Sequence, residues 1–494
     1  MDLKYVSTRG SSRKFSASEA IIKALADDGG LFVPESVPVL DHDLSDYADM
    51  EYADVAYEIM KLYLTDFSED ELRTCIDNAY DDKFDKSDIA PLTCADGVWY
   101  LELYHGATIA FKDMALSILP HLMTTAAAKN NVSNDIVILT ATSGDTGKAA
   151  LAGFADVDRT KIIVFYPKDG VSPIQKRQMV TQKGANTFVV GVDGNFDDCQ
   201  TGVKKLFSDS ELAGWMNAHG MQFSSANSIN IGRLVPQIVY YVYAYSRLIK
   251  QGVVRPGEVV NITVPTGNFG NILAAYYASR MGLPVKTLIC ASNENKVLYD
   301  FFSTGTYDRN REFILTSSPS MDILISSNLE RLIYHISGND ASKCARLMQS
   351  LASEGRYEIS DDMKKELGPF FGGFCGEEET KKTIKDVFDS SGYLIDTHTA
   401  VAAAVYRSYR ESFDDDTPAI IVSTASPYKF TGSVLRAIDP SKVSDDDFAM
   451  ADELSAISSV PIPRAVEEIR NAKILHDTIC TVEEMENTVK RMLS

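Results

Sequence analysis

Six short runs rich in β-branched residues, spaced so that helical patterns fit between them, constrain this chain more than any other feature. They are IVILTA (136–141), IIVFY (162–166), TFVVGV (187–192), VVNITV (259–264), VKTLICA (285–291) and AIIVST (419–424). Each is β-branched, largely apolar and bounded by turn residues, as buried strands are. Strands alternating with helices imply βαβ units and a parallel sheet covered on both sides. The fold class this predicts is α/β.

The flanking regions read differently. In the first ninety or so residues, Ser16 with Glu19 and Ser68 with Glu71 form two capping boxes. The first opens a helix expected to end near Gly29 and Gly30; the second opens one that presents Leu72, Cys75 and Ile76 on one face. Between about 300 and 390 the strand signals disappear, and Cys344, Leu347, Met348 and Leu351 recur at helical spacing. The predicted organisation is a mostly helical unit over 1–97, a catalytic core over 98–299 and 390–494, and a helical insertion over 300–389.

Composition narrows the function. The 494 residues are 45% hydrophobic with a formal net charge of −21, which argues against a sequence-independent hold on nucleic acid or on an anionic membrane. The most apolar window, 238–245, is too short to span a bilayer, and the N-terminus has no secretory h-region. The expectation is a soluble, cytoplasmic protein. Seven scattered cysteines without CxxC spacing indicate reduced thiols, and the histidines form no metal-binding pair.

Two glycine-bearing loops run from a strand into a helix: TATSGDTGKAAL (140–151) and VPTGNFGNILAAYY (264–277). Such turns present backbone N–H groups beside the positive end of a helix, where an anion can bind and a Cβ would hold it away. Each alone reads equally as a ligand-free turn. Neither has the Rossmann or P-loop spacing, which argues against NAD and ATP. Both fall on strands of the same apparent sheet, implying two anions at its carboxyl edge.

In HGATIAFKDMAL (105–116), Lys112 is the only basic side chain in an apolar or small run. Alone it reads as a helix-surface lysine. Among apolar neighbours and near positive charge, desolvation lowers its pKa and leaves a nucleophile toward an aldehyde. A phosphorylated aldehyde cofactor uses both a reactive lysine and a glycine loop.

The motifs HGATIAFKDMAL, TSGDTG, YPKDGVSPIQKRQM, SANSINIGR, PTGNFGN, SMDILISSNLERL, DTHTAVAAAVY and STASPYKF occur in this order. Together they resemble threonine synthases of the longer bacterial and fungal type, fold type II enzymes that depend on pyridoxal 5′-phosphate. The resemblance runs from YVSTRG near the start to about Lys429. It implies two parallel-sheet lobes, the smaller over about 130–225, and the conversion of O-phospho-L-homoserine and water to L-threonine and phosphate.

By the same resemblance Lys112 is the cofactor-binding and catalytic lysine. Gly267, Asn268, Phe269, Gly270 and Asn271 correspond to the loop that holds the cofactor phosphate, and Thr424 to the hydroxyl facing the pyridine nitrogen. Ser143, Asp145 and Thr146 match residues that grip the substrate carboxylate, and Asn227, Ser228 and Arg233 those that receive its phosphate. Lys168 lies in a motif without an assigned role. Ala107 and Ser426 depart from the family, which often has proline and histidine there. A phospholyase or dehydratase releasing 2-oxobutyrate would share every early step, and a non-catalytic relative would keep the fold. The chain is expected to be a monomer or homodimer.

His105 and His398 read equally as site residues or as satisfied structural histidines. Tyr240, Tyr241, Tyr243 and Tyr245 read as helix packing, and the aspartates at 414–416 and 445–447 as solvated loops or helix starts.

Overall fold

The computed structural model describes residues 2–142, 144–169, 171 and 173–494. Two sheets organise it. The larger has six strands in the order Phe370–Phe374, Val285–Ser292, Val260–Pro265, Ala419–Ser423, Val98–Glu102 and Leu92–Ala95. All its pairings are parallel except the last. The smaller has five parallel strands, Ile479–Cys480, Thr187–Val192, Thr160–Pro167, Asp135–Ala141 and Met221–Ser224.

All six expected strands form, but on two sheets: the loop after residue 140 leaves the smaller sheet and the loop after residue 264 leaves the larger. The strands share one local pattern, and pairing is decided by contacts far apart in sequence. Alternation along each strand then feeds separate cores. Ile136 and Ile138 point into the central core, which also takes Ile262 and Val264 of the larger sheet and the N-terminal helices. Val137 and Leu139, one residue out of phase, pack under the helices Phe196–Ser208 and Ser210–Ala218. On the outer face of the larger sheet, Ile289 and Ile421 pack against the helix Thr397–Phe413. Burying each such side chain contributes roughly 1.5–3 kcal/mol before conformational entropy is charged.

Three expectations are corrected. The first helix spans only Ala17–Lys23 and ends at Ala24, with φ 59°. Gly29 and Gly30 instead serve the turn into the strand Phe32–Pro34, which pairs with Tyr5–Ser7; a Cβ on Gly30 would lie 2.1 Å from Ser7 Oγ. The stretch from 300 to 390 is not free of strands. Thr306–Asp308 pairs with Arg356–Glu358, and Phe370–Phe374 joins the edge of the larger sheet. Asp415 is not solvated: it is buried and accepts from Asn261 Nδ2 at 3.0 Å, Tyr409 Oη at 2.9 Å and Lys286 Nζ at 2.8 Å.

The tyrosines of the helix Ile231–Lys250 are core, as their spacing implies. The C-terminal segment leaves the larger sheet's side, contributes Ile479–Cys480 to the smaller sheet and packs Met485 and Val489 beneath it. No helix among the described residues is long and apolar enough to cross a membrane.

Candidate active site

Lys112 stands at the start of the four-residue helix Asp113–Leu116, on a turn tied to the end of the strand Ala419–Ser423. Phe111 N–H donates to Thr424 O at 2.8 Å, and Ala110 bridges Ala425. The Lys112 amine donates to Ser320 Oγ at 3.3 Å and lies 3.5 Å from Asp145 Oδ2. Ser320 Oγ in turn donates to Asp145 Oδ2 at 3.0 Å. Burial lowers the Lys112 pKa, with Lys429 and Arg233 pushing the same way and Asp145 opposing them. The expected electrostatics of a reactive amine are present.

Asp145 opens the helix Asp145–Phe154 and joins the two lobes electrostatically. Its Oδ1 accepts from Gln175 Nε2 at 2.9 Å and lies 3.2 Å from Lys429 Nζ. Burial alone would raise this carboxyl, but Lys429 and Lys112 hold it far below the usual carboxylate range. Lys429 itself has no exposed surface and donates to Thr108 O at 2.9 Å.

On the same loop Thr142 Oγ1 accepts from the N–H groups of Gly144 and Gly147, each at 3.0 Å. Two donors expected to face an anion are therefore already taken. Ser143 lies outside the described residues, and Thr146 is half-buried at the second helical position.

The loop from Gly267 to Asn271 differs. Among the described residues, none of its five N–H groups donates to another backbone or side-chain acceptor. Its carbonyls are fixed from behind: Ser326 Oγ donates to Gly267 O at 2.7 Å, and Asn328 Nδ2 to Asn268 O at 3.0 Å. Phe269 has φ 64°, which turns the chain into the helix Gly270–Arg280, and a Cβ on Gly267 would lie 2.4 Å from Ser320 O. Asn271 Oδ1 accepts from Tyr240 and Tyr241 hydroxyls at 2.6 and 2.5 Å, while its Nδ2 is buried without a partner. A cradle of free N–H groups at a helix N-terminus, with no room for a Cβ at Gly267, fits a phosphate group.

Arg233, 4% exposed, donates from Nη1 to Ala226 O at 3.0 Å and leaves Nε buried without a partner. It has no carboxylate partner among the described residues, and burial lowers it to about 10. Asn227 is exposed and Ser228 half-buried on the turn before its helix.

Residues that sequence reasoning missed complete the site. Ser320 and Lys429 lay in motifs that gave them no role. His398 Nε2 accepts from Ser320 N–H at 3.1 Å, and its Nδ1 donates to Asp396 at 2.7 Å. Arg331, fully buried, donates to Phe32 O at 2.8 Å, Ile229 O at 2.6 Å and Asn328 Oδ1, bracing the phosphate-shaped loop from the N-terminal unit. His105 instead pairs with Asp85 and Glu102, Lys168 pairs with Asp193, and the Ser426 hydroxyl accepts from Tyr428 N–H.

This arrangement agrees with the family models that match the sequence. Residues 4–80 match the threonine synthase N terminus, 87–360 the pyridoxal-phosphate dependent enzymes, and 399–479 the threonine synthase C-terminal model. The chain belongs to the threonine synthase family. Within it, the threonine synthase of Schizosaccharomyces pombe is 37% identical over 90% of this chain and 91% of its own. Threonine synthase-like 1 of Pongo abelii is 39% identical over 93% of this chain, which spans 63% of that longer protein. A crystal structure of PLP-bound threonine synthase from Brucella melitensis superimposes with a TM-score of 0.88 at 34% identity, covering 99% of both chains.

Proposed function

We propose that this protein converts O-phospho-L-homoserine and water to L-threonine and phosphate, using pyridoxal 5′-phosphate. The observation that carries the reading is the Lys112 amine, desolvated and held between Ser320 Oγ and Asp145, and within electrostatic reach of Arg233, a buried arginine that lacks a carboxylate partner among the described residues. The loop from Gly267 to Asn271 would hold the cofactor phosphate, and Thr424 would face the ring. Bound there, the cofactor supplies an electron sink for carbanions adjacent to the substrate nitrogen.

The chain's own residues supply the rest. Lys112, set free beside Cα when substrate binds, takes the α-proton, and burial favours the neutral amine that this step needs. Asp145 and Ser320 hold the amine in place and receive its hydrogen bonds. Asn227, Ser228 and Arg233 bind the substrate phosphate and stabilise it as it leaves Cγ. Ser143 and Thr146 would bind the substrate carboxylate; Asp145, grouped with them by the resemblance, is itself an anion paired with Lys112 and Lys429 and holds the amine instead. Water adds at Cβ only after elimination, so closure of the smaller lobe would keep bulk water out until then. We further propose that the chain works in the cytoplasm, as a monomer or homodimer, its seven unpaired cysteines suiting a reducing compartment.

The test is a product assay on cofactor-loaded protein with O-phosphohomoserine, measuring phosphate, threonine and 2-oxobutyrate together. Threonine in step with phosphate is the expected result. Phosphate with 2-oxobutyrate would make the chain a phospholyase, and no phosphate release would overturn the reading.

A further inference from the structure

Beside the segment that leads into the Lys112 turn, touching His105, Gly106, Ala107 and Ile109, lies a cavity of about 1040 Å³ to which nothing in the reaction above assigns a role. None of Lys112, Asp145, Arg233, Ser320 or Thr424 lines it. Its walls come from four parts of the chain: the N-terminal unit through Asn78 and Asp85, the segment before Lys112 and the helix after it through Gly106 and His121, the smaller lobe through Lys148 and Thr181, and the C-terminal segment through Arg464 and Ile469.

Lys148 is the unusual group on this wall. It is 8% exposed, and its amine donates to Gln182 Oε1, a neutral acceptor that also lines the cavity. It makes no ion pair among the described residues. The nearest carboxylate by electrostatic influence is Asp113, whose oxygens are taken by Thr108 N–H at 2.8 Å and Thr108 Oγ1 at 2.6 Å. Lys429, the other charge that acts on Lys148, is a cation. Burial lowers the amine to about 8, so at neutral pH it keeps most of its charge. A buried ammonium without a counter-charge is costly, and an acid group beside it removes that cost. Further out, Lys183 is exposed and makes no ion pair among the described residues, and Arg464 bridges the gap by donating to Asp82 O at 2.7 Å.

We propose that this cavity is a second anion site, taking a small compound whose carboxylate or phosphate meets the Lys148 ammonium. The occupant would touch the N-terminal unit, the smaller lobe and the C-terminal segment at once. Lys148 sits one helical turn beyond Asp145, so the site adjoins the Lys112 pocket.

Calorimetric titration of cofactor-loaded protein with inorganic phosphate, and separately with malonate, tests this. The wild type is expected to bind one anion at the Arg233 site and one in the cavity. Lys148→Met should lose only the second, Arg233→Met only the first, and Lys148→Arg should keep both. Malonate, but not phosphate, filling the cavity would make the headgroup a carboxylate; the reverse would make it a phosphate. Unchanged stoichiometry and affinity for both anions in Lys148→Met overturns the proposal. Because a buried lysine variant can fail to fold, acetic anhydride labelling of the wild type provides a second measure. Either anion should slow acetylation of Lys148 at least about tenfold, the protection expected at nine-tenths occupancy; no protection by either also overturns it.

Discussion

Lys112 Nζ and Asp145 Oδ2 lie 3.5 Å apart, and the Ser320 hydroxyl links them, accepting from the amine at 3.3 Å and donating to the carboxylate at 3.0 Å. The amine sits on the larger sheet's side and the carboxylate on the first turn of a smaller-lobe helix. Their contact therefore couples lobe position to the reactive group.

Asp145 is the group that raises the Lys112 pKa against burial, Lys429 and Arg233. Replacing it with asparagine removes the opposing influence, so the amine should titrate lower. The check is the pH dependence of Lys112 acylation in cofactor-free protein. The midpoint should move to lower pH in Asp145→Asn and stay in place in Thr146→Val.

Lys429 and Asp145 are buried partners, 3.2 Å apart. Removing either alone takes the closest counter-charge from the other, which costs about 3–5 kcal/mol. Lys429→Met and Asp145→Asn should each destabilise by about that much in chemical denaturation. The double variant should be less destabilised than the sum, by about 1–3 kcal/mol. Simple additivity would mean the two charges do not rely on each other.

The Gly267 loop has no room behind it. A Cβ there would lie 2.4 Å from Ser320 O, closer than atoms can pack, so Gly267→Ala must displace either the loop or Ser320. Cofactor affinity should fall at least about tenfold, equivalent to 1.4 kcal/mol, measured by fluorescence titration. Gly214→Ala, where a Cβ meets open space inside the helix Ser210–Ala218, should leave it unchanged and add about 0.5–1 kcal/mol of stability.

What could be read in advance follows from how local each signal is. The strand Thr187–Val192 and the capping boxes at Ser16 and Ser68 are settled by neighbouring residues, and the chain forms them where the pattern puts them. The strand Phe370–Phe374 has two glycines in five residues, which weakens any local signal; pairing with Val285–Ser292 is what holds it. Lys112 stood out because it interrupts an apolar run. Ser320, 208 residues away, did not, because a serine in a polar loop carries no signal until folding sets its hydroxyl on the amine. Tyr240 and Tyr241 look like packing and are packing, yet their hydroxyls also aim Asn271, which only the folded chain reveals.

His105 gives the last prediction. Its Nδ1 lies 2.6 Å from Asp85 Oδ1 and its Nε2 2.8 Å from Glu102 Oε2, so both nitrogens can donate only when the ring is charged. Burial pushes its pKa down, but the bonds to Asp85 and Glu102 outweigh that and leave it raised. Burial would raise Glu102, and the bonds from His105, Thr93 and Tyr393 leave it lowered. A raised histidine means the folded chain binds more protons than the unfolded one above about pH 6.5, so its contribution is complete below that value and is lost as pH rises through the folded pKa. A lowered glutamate contributes above its unfolded value of 4.5 and loses that contribution as pH falls through the folded one. His105→Asn should therefore cost roughly 1–3 kcal/mol between those limits, with the difference from wild type shrinking on either side. Urea unfolding of both proteins across pH measures it, and a cost that stays flat as pH rises well above 6.5 would show that the ring is held by packing rather than by charge.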